Sequence, residues 1–234
     1  MNKEEFISEL KKIGIEISDE GLKKLDKYYE LLKEWNEKIN LTSIINYEEV
    51  YLKHFYDSLT LYRDIDLNNN LSLCDIGTGA GFPGLVLKIV FPSLKVTLVD
   101  SLLKRINFLN LVINELHLRD ITTYHERCED FLLKNANSFD IVTSRAVCNL
   151  SLLAKMCLPL VKKNGYFIPM KAKCDEELKE SENIIKKLFG NVIKIDKFTL
   201  PKEESNRTII KIIKTNDTNT NSLKKIRKSI ILKK

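Results

Sequence analysis

The stretch DIGTGAGFPG, residues 75–84, decides how this chain is read. It begins inside the short β-rich run LSLCDI at 71–76 and leads into a helix. Glycines at 77, 79 and 81 permit backbone angles that a β-carbon forbids and let the main chain approach a ligand closely. Pro83 suits the first turn of a helix, where its missing donor costs nothing. The next β-rich run, KVTLVD at 95–100, ends in Asp100, placed to accept hydrogen bonds from the two hydroxyls of a ribose. A strand, a glycine turn, a helix and a second strand tipped by an acid imply a nucleoside-containing cofactor. Gly79, Gly81 and Gly84 also satisfy the dinucleotide fingerprint G-x-G-x-x-G, a weak pattern alone. A pyrophosphate needs a helix N-terminus aimed at it, whereas a sulfonium amino acid needs an acidic or carbonyl-lined pocket. Asp75, immediately before the loop, favours the second.

Outward from this unit, β-rich runs alternate with helical ones. DITTYH at 120–125, FDIVTS at 139–144 and GYFIPM at 165–170 continue the strands, and such alternation predicts parallel strands with crossover helices. NVIKIDKFTL at 191–200 and NRTIIKIIK at 206–214 are separated by a loop, so that end of the sheet is expected to be antiparallel. The fold class expected is α/β: a doubly wound, mostly parallel seven-stranded sheet. Ahead of it, apolar positions at helical spacing over 4–14, 18–39 and 46–62 predict helices. The chain divides accordingly into an N-terminal helical extension (1–66), a cofactor-binding domain (67–214) and a basic tail (215–234). The tail opens with the aperiodic TNDTNTNS and is expected to be flexible.

Composition narrows the class. Of 234 residues, 44% are hydrophobic and 30% charged, an ordinary globular balance. The N-terminal MNKEEFISEL carries acids where a secretory signal needs bases, and the most apolar run, 84–91, contains Lys88 and is too short to cross a bilayer. A soluble, cytoplasmic protein without a membrane partner is expected, and a monomer. The five cysteines (Cys74, Cys128, Cys148, Cys157, Cys174) form no C-x-x-C pair and have no histidine at ligand spacing, which predicts reduced thiols and no metal.

The blocks WNEKINLTS (35–43), KHFYDSL (53–59), DIGTGAGFPGLVLKI (75–89), LVDSLLKRINFL (98–109) and FDIVTSRAV (139–147) narrow it further. With the glycine loop and Asp100 they resemble the class I S-adenosylmethionine-dependent methyltransferases. Within these they resemble the bacterial 16S rRNA guanine-N7 methyltransferases, also called glucose-inhibited division protein B, over nearly all of residues 1–214. The resemblance implies S-adenosylmethionine as cofactor and 16S rRNA or the 30S subunit as partner. It implies a Rossmann-like domain with cofactor contacts at Gly77 and Phe82, at Cys128 and Glu129, and at Arg145; Gly79 joins them from the glycine loop and Asp100 from its place to bind the ribose. Where the family has Arg-Ala-Glu this chain has Arg127-Cys128-Glu129, a change that a backbone contact to adenine survives.

Guanine N7 carries a lone pair and no proton, so its methylation needs no general base, only alignment and management of moving charge. This agrees with SRAV after the fourth strand, where an amino-group methyltransferase carries Asn/Asp-Pro-Pro-Tyr. Arg145 is the catalytic candidate, by stacking or by donating to guanine O6. Lys104, Arg105 and Lys171 are candidates for RNA phosphate contact, a solvated face being the alternative. His54 and Asp57 are expected to pack the N-terminal helices on the domain, and Asn40 with Thr42 to cap a turn at the site's mouth. Other readings are a methyltransferase of another RNA or small molecule, a nicotinamide oxidoreductase, and a non-catalytic ribosome-assembly RNA-binding protein. The net charge of +6 is segregated: residues 1–150 hold 18 basic and 23 acidic side chains (−5), residues 151–234 hold 20 and 9 (+11). That places the expected RNA contact beside the C-terminal strands and tail.

Overall fold

The computed structural model describes residues 1–145, 147–203 and 205–232. Ala146 of the FDIVTSRAV block and the two final lysines of the tail lie outside the described residues. The strands are β1 Ser72–Ile76, β2 Lys95–Asp100, β3 Ile121–His125, β4 Phe139–Arg145, β5 Val161–Lys171, β6 Gly190–Thr199 and β7 Asn206–Lys214. They form one sheet in the order β3-β2-β1-β4-β5-β7-β6. β1 to β5 pair in parallel, and β7 lies antiparallel between β5 and β6, as the loop between the last two runs implies. The chain steps from β1 outward to β2 and β3, then returns to place β4 on β1's other edge. The gap beyond the carboxyl ends of β1 and β4 is the switch point where such sheets bind ligands.

Helices cover both faces, which is why β1 is buried from Leu73 to Ile76, its one charged residue, Asp75, included. On one face α1 (Lys3–Lys12), α2 (Asp19–Asn36), α5 (Gly84–Val90) and α6 (Leu103–Glu115) share a core with the sheet around Phe6, Tyr28, Phe55 and Phe108. On the other, α7 (Cys128–Lys134), α8 (Leu150–Cys157) and α9 (Asp175–Lys187) pack around Phe131, Leu153, Cys157 and Phe167. Asn2 and Glu5 close a capping box on α1 and Ser18 caps α2, so both helices start where their side chains satisfy the first free amides.

Two segments differ from expectation. The stretch expected as one helix over 46–62 is helical but irregular: α3 (Tyr47–Val50) runs into a π-helical stretch, Tyr51–Tyr56, then α4 (Asp57–Leu59) and a 3-10 turn, Thr60–Arg63. The tail is not the flexible, aperiodic segment its polar start suggests. Asn219 caps a helix, α10 (Thr220–Ile231), that buries Leu223 and Ile230 and packs on α7 and α8. Arg227 Nη2 donates to Asp130 Oδ1 of α7 at 2.7 Å. Leu223, Ile226 and Ile230 supply an apolar stripe at helical spacing, which the lysines between them obscure. The basic charge expected there is retained: Lys224, Lys225 and Lys228 are exposed.

Candidate active site

The glycine loop is held from below. Asp75 is fully buried; its Oδ2 accepts from Thr78 Oγ1 (2.7 Å) and from the Gly84 amide (2.9 Å). Asp75 therefore braces the loop instead of lining the cavity above it, where the sulfonium argument had put it. Its Oδ1 has no hydrogen-bond partner among the described residues, and burial raises the carboxyl to about 6. Above the loop, Gly79 has φ +61°, and a β-carbon there would meet nothing within 4 Å. Its left-handed backbone faces open space that a ligand can fill. From the N-terminal layer, the Tyr28 hydroxyl donates to the Ala80 carbonyl, fastening α2 to the loop.

The open space is a cavity of about 630 Å³. Gly77, Gly79, Phe82, Asp100, Cys128, Glu129 and Arg145, spread over four segments, all line it. Asp100 is 3% exposed at the end of β2. Its Oδ1 accepts the Leu102 amide (2.9 Å) and its Oδ2 the Gly79 amide (3.0 Å). Arg105 Nη1 also reaches Oδ2, at 3.3 Å, while its Nε has no partner among the described residues. A carboxylate accepts about four hydrogen bonds, so a ribose hydroxyl at Oδ2 competes with the long Arg105 contact. Arg105 thus lines the cofactor cavity with its guanidinium on Asp100. Lys104 is exposed on α6.

A second cavity, of about 460 Å³, adjoins the first and is lined by Lys53, Asp57, Met170, Lys171, Glu177 and Arg207 among others. His54 and Arg145 line both cavities and form the wall between them. Asp57 is 4% exposed and binds two arginines, Arg145 Nη1 at 3.0 Å through Oδ2 and Arg207 Nε at 2.9 Å through Oδ1. It joins the N-terminal layer to β4 and β7, the packing role expected of it, and it also borders the second cavity. Lys171 is engaged by the Cys148 carbonyl (2.8 Å) and Glu177 Oε2 (2.9 Å), with only 11% of its side chain exposed. Arg207 had no signal in the sequence, because nothing in NRTIIKIIK says that its first basic residue meets an acid 150 positions earlier. The loop before α3 is organised by Asn36, whose Oδ1 accepts the amides of Leu41 and Thr42 (both 2.9 Å), in place of the expected Asn40. Thr42 Oγ1 does cap it, accepting the Ile44 amide at 3.1 Å.

A glycine loop beneath an acid-tipped β2, a cavity at the switch point and a reversed β7 define a Rossmann-like, class I methyltransferase. Solved structures bear out the fold. A SAM-dependent methyltransferase from Aquifex aeolicus aligns with a TM-score of 0.54 at 19% identity, covering 77% of this chain and 98% of that one. A precorrin-6y C5,15-methyltransferase from Geobacter metallireducens aligns with a TM-score of 0.54 at 14% identity, covering 68% and 88%. The family model of rRNA small subunit methyltransferase G matches residues 21–210. Ribosomal RNA small subunit methyltransferase G of Bacillus velezensis is 52% identical over 93% of this chain and 92% of its own length. That of Oceanobacillus iheyensis is 50% identical over 93% of each. The chain belongs to the rRNA small subunit methyltransferase G family, and its cofactor is S-adenosylmethionine. The cavity suits that cofactor: it lies within the size range of small-molecule sites, with open backbone at Gly79 and a buried carboxylate at Asp100. No helix among the described residues is long and apolar enough to cross a membrane.

Proposed function

We propose that the protein methylates N7 of one guanine in 16S rRNA, as a cytoplasmic monomer acting on naked rRNA or the 30S subunit. The cofactor lies in the first cavity and the extruded guanine in the second. The observation that carries this reading is the shared border: among the described residues His54 and Arg145 are the two that line both cavities, so a donor in one and an acceptor in the other meet beside them. When bound, S-adenosylmethionine supplies an electrophilic methyl group on a positively charged sulfonium.

The residues then have distinct tasks. Asp100 accepts from the ribose, and Gly77, Gly79, Phe82, Cys128 and Glu129 bound the rest of the cofactor. Arg145 donates to guanine O6, leaving the N7 lone pair open to attack in line. Positive charge moves onto the purine as the methyl arrives, and Asp57 and Glu177 offset it in the second cavity. No residue removes a proton, because N7 carries none. Of the lysines, Lys104 and the three exposed on α10 meet phosphates, and Lys171 steadies the rim of the base pocket.

The test is transfer of labelled methyl groups to small-subunit rRNA lacking the modification, followed by chain cleavage at 7-methylguanine. Label at a single guanine of naked rRNA or 30S particles is expected. No incorporation into either, or label at an exocyclic amine, overturns the reading. A salt series on rRNA binding accompanies it: affinity is expected to fall steeply between low and moderate salt as phosphate contacts release counterions.

A further inference from the structure

We propose that His54 is a positioning residue for methyl transfer: its Nδ1 lone pair holds the Arg145 guanidinium as the wall between the cavities, with its remaining donors turned to the purine. This rests on the reading that the second cavity takes the acceptor guanine.

Arg145 Nη1 donates to Asp57 Oδ2 and to the Lys53 carbonyl, both at 3.0 Å, and Nη2 lies 3.2 Å from His54 Nδ1. A guanidinium has five N–H groups and accepts nothing. Nδ1 must therefore be the acceptor, and the imidazole carries its proton on Nε2. That proton has a partner, Thr42 Oγ1 at 2.9 Å. The chain Arg145 to His54 to Thr42 runs one way only and exists only for a neutral ring. Neutrality has a purpose here, since an imidazolium would stand beside both Arg145 and the purine as it gains charge. Burial, more than Arg145, pushes His54 down to about 3, which agrees with the geometry.

The ring is itself held flat. It stacks on Phe82 with centroids 4.3 Å apart and planes 17° apart, and Arg145 lies 5.1 Å over the same Phe82 ring. Three donors of Arg145 are thus committed to the N-terminal layer, while Nε–H and the second Nη2–H have no partner among the described residues. These two form one edge of the guanidinium fork, the edge suited to guanine O6. The π-helical stretch Tyr51–Tyr56 places both the Lys53 carbonyl and His54 against the guanidinium. Such stretches are frequent at functional sites.

Two substitutions separate the lone pair from the stack. His54→Phe keeps a ring on Phe82 and removes the acceptor; His54→Asn keeps an acceptor near the Nδ1 position and removes the ring. Expected are a fall in kcat of roughly thirtyfold for Phe and within about fivefold for Asn, from misalignment of Arg145. S-adenosylhomocysteine affinity should stay within about twofold of wild type for Phe, which keeps a ring on Phe82. Phe as active as Asn or more, or both at wild-type rate, overturns the proposal. Arg145→Ala measured alongside tells which reading failed. If it is active, the acceptor-site reading falls; if it is dead while His54→Phe is normal, only the positioning role falls. Should both variants lose cofactor binding, nitrogen-15 spectra of the wild-type protein's three histidines still decide. A neutral His54 with the proton on Nε2 at pH 6 is expected, and an imidazolium there overturns it.

Discussion

The two cavities are built in opposite ways. The cofactor side is local: β1, the loop and α5 are continuous, and Asp100 arrives one β-α unit later. Its geometry is set by backbone, with Asp75 holding Thr78 and Gly84 and Gly79 donating to Asp100. The acceptor side is assembled from far apart in the chain, with Asp57 between Arg145 and Arg207 and His54 against Arg145. One side rests on main-chain conformation, the other on charged side chains brought together by burial. Substitutions on the first should therefore change ligand affinity, and on the second the rate at saturation.

The largest effect tests the acceptor side. Arg145→Ala should lower kcat roughly a thousandfold or more, the scale of losing a preorganised charged donor, with S-adenosylhomocysteine affinity falling no more than about tenfold, since Arg145 also lines the cofactor cavity. Removing one partner of a buried pair costs about 3–5 kcal/mol of stability, though Arg207 still neutralises Asp57. Arg145→Lys serves as the folded control, keeping the charge without the fork. Calorimetric cofactor binding beside single-turnover rates makes the check. A variant with normal kcat and weak cofactor binding would erase the contrast between the cavities.

Next comes the cofactor side. Asp100→Ala removes the acceptor of the Gly79 and Leu102 amides and of the ribose. S-adenosylhomocysteine affinity should fall about a hundredfold, on the order of 2.7 kcal/mol, with kcat recovered at saturating cofactor. Arg105→Gln bears on the same carboxylate with the opposite sign. Freed of a competitor at Oδ2, the site should bind the cofactor equally well or somewhat better. Affinity lowered tenfold by Arg105→Gln would show that the arginine belongs to the bound state.

This contrast also explains what could be read from sequence. The seven strands, the antiparallel end and the glycine loop were legible because each lies in a continuous stretch whose period or glycine spacing states its conformation; Cys128, Glu129 and Arg145, which line the first cavity, were marked by the family resemblance alone. Arg207 and the shared wall were not, since ion pairs between residues 88 and 150 positions apart leave no mark on local pattern. Asp75 misled because its position before the loop is the same whether its carboxylate faces the cavity or the core. In α10 the signal existed, three apolar residues at helical spacing, but a stripe that narrow among lysines also fits a solvated tail.

A smaller effect asks whether the helical tail extends the acceptor side. Lys224, Lys225 and Lys228 are exposed on α10, which Arg227 ties to the helix that begins at Cys128 and Glu129 on the cofactor cavity. Changing the three to Gln should weaken rRNA binding by about tenfold at low salt and flatten its salt dependence by roughly 0.7 per lost phosphate contact. Cofactor affinity should not change. Filter binding across a salt series reads it, and an unaltered slope would remove α10 from the RNA footprint.

The smallest effect concerns Asp75, where function and stability pull apart. Its folded carboxyl titrates at about 6 against an unfolded 3.8, burial being the main cause. The folded state therefore holds the proton more tightly, so this group's contribution to stability is complete below about pH 4 and is lost as pH rises through about 6. At neutral pH the fold carries a buried charge with one oxygen unpartnered. Asp75→Asn removes that charge and keeps one oxygen for the Gly84 amide and Thr78. It should raise the melting temperature by a few degrees at pH 7–8, about 1 kcal/mol, and flatten the pH dependence of stability between 4 and 6. The loop it braces is then held by a weaker acceptor, so cofactor affinity should fall severalfold while kcat holds. A melting temperature lowered at pH 8 would mean that the ionised carboxylate is worth more to the loop than its burial costs, and that the cofactor side too depends on charge.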